Sequence, residues 1–157
     1  MVVVQRRVAW LRVSGFDTMN GMKSPKAVID DWVDAYNARD PHALIELYHD
    51  DAVNHQVAFG EPLQGREALL ESFIAFFDAF PDNYTHPVNV LEDGEWAVVE
   101  WKGGGTFTGE LGGNAPTGKS FTLQGCGFFH VLNGKIKFQR GYIDKHTWFT
   151  QLQLPVA

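Results

Sequence analysis

The sequence is short of several residues and patterns, and each shortage excludes a class of protein. One cysteine, Cys126, is present, so an internal disulfide is excluded and a reducing compartment, the cytoplasm, is expected. The formal net charge is -6 and Lys and Arg form no face-length cluster, which argues against nucleic acid as a partner. No apolar run approaches the roughly 20 residues that cross a bilayer, so no membrane partner is expected.

Motifs for metal and nucleophile chemistry are also missing. The 6 histidines show no H-x-H or H-E-x-x-H spacing, so no metal site is expected. A G-x-S-x-G motif is absent and Cys126 falls within a strand-like run, which leaves a serine or cysteine nucleophile unsupported. Acid–base chemistry that needs no cofactor is the kind of catalysis that remains.

One phosphate-binding motif matches by letter only. Residues 113–120, GNAPTGKS, fit G-x-x-x-x-G-K-[ST], but a phosphate loop needs a helix directly after it. The residues after Ser120 are rich in β-branched, aromatic and glycine residues without a helical stripe, and Pro116 interrupts the phosphate cradle. The segment therefore predicts a hairpin loop and not a nucleotide site.

The residues that are present indicate one globular domain. A chain of 157 residues, 45% of them hydrophobic, can bury a sizeable core, and we expect residues 22–157 to form it. Residues 1–21 are expected to be a loose, disordered arm or an artefact of start-site choice, because Met19 and Met22 are alternative starts. A valine-rich arm could instead add an edge strand.

Helix signals come first along the chain. Ser24-Pro25 and Asp40-Pro41 each join an N-cap to a proline at the first helical position, and Gly65 opens a third helix that Pro81 stops. Apolar residues recur at helical spacing in all three segments: Val28, Trp32, Ala35 and Tyr36; Leu44, Leu47 and Tyr48; Leu69, Phe73, Phe76 and Phe80.

Strand signals follow Pro81. Apolar and polar residues alternate from Tyr84 to Val90, and Asp93-Gly94 and Asn133-Gly134 are hairpin turns. Further strands are expected at about residues 95–108, 121–132 and 135–144. Helices followed by antiparallel strands predict an α+β domain with a sheet curled over the helices.

Asp144 closes the last of these strands. Its strand neighbours Phe138 and Tyr142 are large, so the carboxylate would lose hydration and its pKa would rise into the range of a general base. The alternative is a solvated strand end paired with Lys145 or Arg140, which the local sequence alone favours.

Other polar residues have either a pocket role or an ordinary one. Asn54 and His55 close a first short strand, as a hydrogen-bonding pair at a pocket mouth or as a polar turn. His86 is either a pocket residue or a half-buried strand histidine. His130 lies just before the Asn133 turn, where an exposed hairpin tip is expected.

The Asn133-Gly134 turn also sets a register. A two-residue turn pairs His130 with Lys137 and puts His130 on the face opposite to Asp144. A His130–Asp144 couple therefore requires a β-bulge, for which the sequence offers three glycines, Gly125, Gly127 and Gly141.

The order of short segments is itself informative. After two helices come NH at 54–55, FGEPLQGREAL at 59–69, FPD at 80–82, PTGK at 116–119, NGKI at 133–136, YID at 142–144 and QLQL at 151–154. Across roughly residues 24–154, this order resembles the SnoaL-like polyketide cyclases. These belong to the NTF2-like superfamily, with ketosteroid isomerase and limonene epoxide hydrolase as relatives.

The resemblance implies a fold and an activity. The fold is a cone in which a curved antiparallel sheet wraps three N-terminal helices around a deep pocket, and two copies form a homodimer packed through the sheet. The activity is that of a lyase or isomerase, a polyketide or ester cyclase that acts on a hydrophobic carbonyl compound with no metal or cofactor. In the cyclases an Asp near the end of the last long strand is the acid/base and a His on the preceding strand lines the pocket. Asp144 and His130 match these positions.

The resemblance also implies a set of substrate-binding residues. Trp101, His130 and Tyr142 are expected as donors to an enolate oxygen, as in the hydrogen-bonded oxyanion site of ketosteroid isomerase. The full binding set is Asn54, His55, Trp32, Phe73, His86, Trp101, Gln124 and Tyr142.

Two other functions remain open. A non-catalytic protein that binds a hydrophobic ligand would have a pocket without a desolvated carboxylate. An epoxide hydrolase would need an Asp–Arg–Asp relay, but the corresponding strand reads VVEWKGGG, where Glu100 and Lys102 would have to substitute. Glu100 and Lys102 share a face and are equally explained as an ion pair, and Arg140 is the sequence-local arginine for Asp144.

Overall fold

The computed structural model describes residues 18–19 and 21–156. The predicted arm, residues 1–21, lies outside the described residues apart from its end, where β1 (Thr18–Met19) pairs with β2 (Met22–Lys23). Of the helices in these described ranges, none is both long and apolar enough to span a membrane.

Three helices begin where the sequence predicts them. The Ser24 hydroxyl accepts a 3.2 Å amide hydrogen bond from the first turn of α1 (Pro25–Ala38). The Asp40 carboxylate accepts one of 2.9 Å from the first turn of α2 (Pro41–Ile45). α3 (Arg66–Ala79) follows the predicted glycine. Each cap satisfies a backbone amide that the helix itself leaves unpaired, which is why cap residues in the sequence predict where these helices begin.

Six strands form one mixed sheet, in the order β4-β3-β8-β7-β6-β5. They are β3 (Tyr48–Gln56), β4 (Leu63–Gln64), β5 (Tyr84–Asp93), β6 (Trp96–Thr106), β7 (Ser120–Leu132) and β8 (Lys135–Ile143). The α+β prediction is confirmed. The expectation of a wholly antiparallel sheet is corrected at one pair, because β3 and β8 run parallel. These two strands are far apart in sequence and no hairpin turn fixes their direction.

A fourth helix, α4 (Lys145–Leu152), follows β8 directly. The sequence gives no helix signal here, because eight residues with two buried side chains, Trp148 and Leu152, make too short an apolar stripe. Asp144 is the N-cap of α4, and Gln153, with φ 58°, ends it in the left-handed region.

The core lies in two parts between the sheet and the helices. The first, the helix-side core, is formed by residues of α1, α2, α3 and the sheet, among them Val28, Ile29, Leu44, Tyr48, Leu69, Phe73, Phe77, Val99, Phe129 and Ile136. The second, the tail-side core, joins the end of α3 to α4 through Phe80, Phe107, Phe121, Leu123, Trp148 and Leu152. Phe76 and Trp101 pack against both parts.

The phosphate-loop look-alike is a hairpin loop, as predicted. Phe107 N donates to Lys119 O at 2.9 Å and Gly118 N donates to Phe107 O at 2.8 Å, which extends the β6–β7 hairpin. The residue after Lys119 begins β7, where a phosphate loop would need a helix.

The PTGK and QLQL segments fasten α4 to the sheet. Thr117 Oγ1 donates to Leu152 O at 2.8 Å. The Gln151 side-chain amide accepts from Thr122 N at 2.8 Å and donates to Thr122 O at 3.1 Å. These two segments, which contribute to the family resemblance of the sequence, therefore have a structural role.

Candidate functional site

The sheet divides the predicted site residues between its two faces. Alternation along β6 buries Ala97 and Val99 on the concave face and leaves Glu100 exposed on the convex face. Four of the predicted residues lie on the concave side: Trp32, Asn54, Phe73 and Trp101. Five lie on the convex side: His55, His86, Gln124, His130 and Tyr142. The predicted single pocket is therefore not assembled, since adjacent strand residues such as Asn54 and His55 face opposite ways.

The concave side carries a chain of polar contacts that the sequence does not predict. Trp32 Nε1 donates to the Tyr48 hydroxyl at 2.8 Å, and that hydroxyl donates to Gln139 Oε1. Beside them Gln56 Nε2 donates to Asn54 Oδ1 at 2.8 Å. Tyr48 is fully buried, and burial raises its pKa, so its hydroxyl is a neutral donor across the working pH range.

A close approach shapes the centre of the concave face. Trp101 lies over Gly125 on the neighbouring strand, where a Cβ would come within 2.5 Å of Trp101 Cζ2. Only glycine leaves room for the indole. Trp32, Phe76 and Trp101 stay half-buried although they point to this side, so the two core parts do not fill the concave side completely.

The centre of the concave side offers recognition but no base. At the concave positions of β6, β7 and β8 no carboxylate or imidazole is present, and the carboxylate of Glu92, which pairs with Ala97 from the outer strand β5, accepts a hydrogen bond from Lys26 N of α1. Amides and a neutral tyrosine can hydrogen-bond a ligand carbonyl, but they do not accept a proton from carbon near neutral pH.

The convex side brings predicted residues together at one end of the sheet. His86 pairs with Lys102 and Lys102 pairs with Gln124, so the three stand in one row across β5, β6 and β7. Asp144 follows the end of β8 at the same level. Beside them is a cavity of about 520 Å³, lined by Tyr84, Lys102, Gly103, Thr122, Leu123, Gln124, Asp144 and Thr147. Its size is in the range of small-molecule sites.

Asp144 has a different environment from the predicted one. Its carboxylate is exposed and accepts hydrogen bonds from Thr147 N at 3.0 Å and from Thr147 Oγ1 at 2.6 Å. The hydroxyl bond first, and then the amide bond, hold the pKa of Asp144 below its ordinary value of 3.8. The prediction of a buried carboxylate with a raised pKa is wrong, because the chain turns into α4 at this residue and uses the carboxylate as an N-cap.

The cations next to Asp144 in sequence do not pair with it. Lys145 Nζ lies over two aromatic rings, 5.8 Å from the centre of Phe59 and 5.2 Å from that of Phe149. Arg140 lies on the same face of β8, but four residues at roughly 3.4 Å each separate it from Asp144 by about 14 Å. Glu100 accepts from Asn89 and does not pair with Lys102. The parts of an epoxide-hydrolase relay are therefore not assembled.

The predicted His130–Asp144 couple is also wrong. The required bulge exists, but it lies beside Val131 and pairs His130 with Phe138. His130 thereby lies on the convex face, yet six residues of β7, about 20 Å, separate it from Gln124, which lies at the Asp144 end of the sheet. His130 stacks on Trp96 at 4.6 Å and its Nε2 is 3.2 Å from Glu95 Oε2.

Comparison with known proteins assigns this architecture. The family model described as SnoaL-like polyketide cyclase matches residues 26–152. The aklanonic acid methyl ester cyclase AcmA of Streptomyces galilaeus is 24% identical over 135 residues, which are 85% of this chain and 94% of AcmA.

Solved structures have the same fold. IdmH of Streptomyces antibioticus, a proposed polyketide cyclase, is 26% identical with a TM-score of 0.69 over 83% of this chain and 99% of IdmH. A Catenulispora acidiphila protein with a ketosteroid isomerase-like fold has a TM-score of 0.71 at 18% identity over 85% of this chain and 96% of its own. The predicted NTF2-like fold is confirmed, and the chain belongs to the SnoaL-like polyketide cyclase family.

Proposed function

We propose that this protein is a cofactor-independent cyclase or isomerase of a hydrophobic carbonyl compound, with Asp144 as its acid/base. The observation that supports this most is the cavity of about 520 Å³, where Asp144 stands beside Lys102 and Gln124. A carboxylate, an ammonium and an amide in one small-molecule cavity are the groups that enolate chemistry needs.

The reaction would proceed in three proton and bond changes. Asp144 takes the proton from a carbon between two carbonyl groups, and the electron pair moves onto an enolate oxygen near the Lys102 ammonium. The enolate carbon then attacks a second carbonyl of the same molecule, which forms a carbon–carbon bond and an alkoxide. Asp144, now a carboxylic acid, returns the proton to the alkoxide and is an ionised carboxylate again. Stopping before the ring closure and returning the proton to another carbon would be an isomerisation.

The low pKa of Asp144 determines how catalysis is shared between the base and the groups that stabilise the enolate. A carboxylate that Thr147 stabilises is a weaker base than the buried one that the sequence predicts. More of the driving force must then come from stabilisation of the enolate, which the exposed Lys102 ammonium and the Gln124 amide can supply.

The pH dependence of turnover tests this assignment. Because its pKa in the folded protein is depressed, Asp144 is ionised at every pH above the ordinary pKa of an aspartate. The ionised base and the hydrogen bonds that stabilise it are lost only as the pH falls through the pKa of the folded state. We expect kcat/KM to stay flat from about pH 7 to about pH 4 and to fall below that. Initial rates on aklanonic acid methyl ester, the compound in AcmA's name, give the profile. An acid limb near pH 6 to 7 would instead assign the base to a group other than Asp144.

The concave side supports a second candidate, a non-catalytic protein that binds a hydrophobic ligand. Its network of Trp32, Tyr48, Asn54, Gln56 and Gln139 can hydrogen-bond carbonyl oxygens but contains no base. This candidate predicts ligand binding without turnover, and binding that is the same in wild type and Asp144→Asn.

We also propose that the protein forms a homodimer through the convex face of the sheet. Three exposed apolar side chains, Val88, Leu91 and Trp96, lie on this face of β5 and β6, and Leu91 is 67% exposed. Exposed apolar side chains that cluster on one face are typical of protein–protein contacts.

A single charge in that patch is expected to dissociate the dimer. Leu91→Glu would place a carboxylate in an apolar contact, where burial of the charge is costly, so sedimentation should show a dimer for wild type and a monomer for the variant. Val57→Glu is the matched control, because Val57 is 40% exposed on the short helix Val57–Phe59, away from this patch. A dimer that survives Leu91→Glu would exclude this part of the face.

A further inference from the structure

Two buried amide side chains stand next to each other on the concave side of the sheet, away from the proposed contact between copies. Asn54 of β3 and Gln139 of β8 are directly paired in the parallel ladder, and each is 6% exposed. A primary amide that is this buried normally has hydrogen-bond partners for both its oxygen and its nitrogen. The partners of these two amides therefore decide what the pair can bind.

The oxygen of each amide is already occupied. Gln139 Oε1 accepts from the Tyr48 hydroxyl, which itself accepts from Trp32 Nε1 at 2.8 Å. Asn54 Oδ1 accepts from Gln56 Nε2 at 2.8 Å. Because an indole N–H can only donate, the Tyr48 oxygen accepts there and its own proton is free for Gln139. This chain of donors turns the oxygen of Gln139 toward the tyrosine and its nitrogen away from it.

The partner of Asn54 is held in place as well. The Gln56 amide group lies against the backbone of Gly141, where a Cβ would come within 2.8 Å of Gln56 Cδ. A larger residue at this position would push Gln56 away from Asn54. The two amide oxygens thus have separate supports, Tyr48 for one and the Gln56–Gly141 contact for the other.

The nitrogen of each amide is left without a partner. Neither Asn54 Nδ2 nor Gln139 Nε2 makes a hydrogen bond within the described residues. Neither belongs to the unpaired side-chain atoms that are fully enclosed in that part of the chain, so both nitrogens still reach open space. Trp32 beside them is half-buried, which leaves an approach from this side. The pair therefore presents donors and no acceptor.

The spacing of the two strands suits a single oxygen atom. Neighbouring strands lie about 4.8 Å apart, and two N–H···O bonds of about 2.9 Å from donors at that separation meet at about 110°. This angle is close to the spread of the lone pairs on an oxygen that is double-bonded to carbon. At the concave positions of β6, β7 and β8 there is no Lys, Arg or His, so an anionic oxygen would lose hydration without gaining a counter-ion.

We infer that Asn54 and Gln139 are paired donors to one uncharged oxygen of a bound molecule, and that Tyr48 is the positioning residue that keeps Gln139 in its donor orientation. The molecule would be neutral and apolar around that oxygen, and a carboxylic acid would bind poorly. This inference rests on the second candidate function, because it specifies the polar end of the ligand on the concave side. It does not depend on catalysis at Asp144.

The test uses three probes of similar shape that differ at one group. They are 2-adamantanone, its isostere 2-methyleneadamantane and the anion adamantane-2-carboxylate, each titrated into isotope-labelled wild type and followed by nuclear magnetic resonance. We expect the ketone to bind about tenfold more tightly than the alkene, which cannot accept the two hydrogen bonds, and also more tightly than the carboxylate. The side-chain amide signals of Asn54 and Gln139 should move downfield with the ketone and not with the alkene.

Variants assign the preference to particular atoms. Asn54→Leu and Gln139→Met each remove one donor at nearly constant volume, so the ketone should lose most of its preference over the alkene. Tyr48→Phe keeps both amides but lets Gln139 turn, so it should weaken ketone binding by about three- to tenfold and leave alkene binding unchanged. Gln64→Met is the matched control, because Gln64 is an exposed glutamine of the edge strand β4.

Three results in wild type would overturn the inference: equal binding of ketone and alkene, tightest binding of the carboxylate, or no binding of the ketone. Equal binding would still leave the second candidate function standing, with a purely apolar ligand. An unchanged ketone preference in folded Tyr48→Phe would remove Tyr48 as the positioning residue. Thermal unfolding shows which variants are folded, and Tyr48→Phe, which loses one oxygen only, decides by itself if the other two are not. Turnover in Asp144→Asn concerns the proposed reaction alone.

Discussion

Asp144→Asn is expected to lower kcat/KM for ring closure by about 10²- to 10⁴-fold while the midpoint of thermal unfolding stays near that of wild type. The loss follows because an amide cannot take up the proton. The stability is kept because asparagine is as good an N-cap as aspartate, so its Oδ1 can still accept from Thr147 N at the start of α4. Initial rates and a thermal melt of the same protein samples measure both quantities.

Two further variants separate catalysis from capping. Asp144→Ser keeps a capping oxygen and removes the carboxylate, so it should be as inactive as Asp144→Asn and nearly as stable as wild type. Asp144→Ala removes both and should lose activity and melt earlier. Normal turnover in Asp144→Asn and Asp144→Ser would show that the residue serves only as a helix cap.

Phe80→Ala is expected to lower the free energy of unfolding by about 3 to 5 kcal/mol. Phe80 is fully buried at the centre of the tail-side core. Its ring centre is 5.0 Å from that of Phe76, 5.3 Å from Phe107 and Phe121, and 5.8 Å from Trp148. These rings come from α3, α4 and the sheet, so they cannot all close a cavity left in their midst.

Urea unfolding followed by circular dichroism measures this change. Phe59→Ala is the matched control, because Phe59 also contacts Trp148, at 5.6 Å, but is 49% exposed. We expect it to cost about 1 kcal/mol or less. If the two variants lost equal amounts, the tail-side core would not be the tightly packed centre that the structure shows.

Signals that act within a few residues were readable from the sequence. The caps Ser24 and Asp40 and the Asn133-Gly134 turn each fix a local hydrogen bond, and each is found where predicted. The strand that ends at Ile143 was also predicted to within one residue. Local backbone chemistry decides such features, so one sequence is enough to predict them.

Features that depend on distant contacts were not readable. Tyr48 and Gln139 are 91 residues apart in sequence and meet only because β3 and β8 pair in parallel. The bulge near His130 shifts a whole face, and no glycine marks its position. The prediction for Asp144 is wrong because the same carboxylate can end a strand or begin a helix, and the short α4 carries too weak a pattern to decide between them.

The two hydrogen bonds between Gln151 and Thr122 protect an open edge of the sheet from aggregation. β7 begins at Ser120, but its pairing with β8 starts only at Gly125, so the first residues of β7 have no strand on that side. An open stretch of backbone of this kind invites another chain to add a strand, which is a route to aggregation. The Gln151 side chain occupies the amide and carbonyl of Thr122 in place of that strand. The C-terminal QLQL segment thus shields the sheet from its neighbours, a task independent of the chemistry at Asp144.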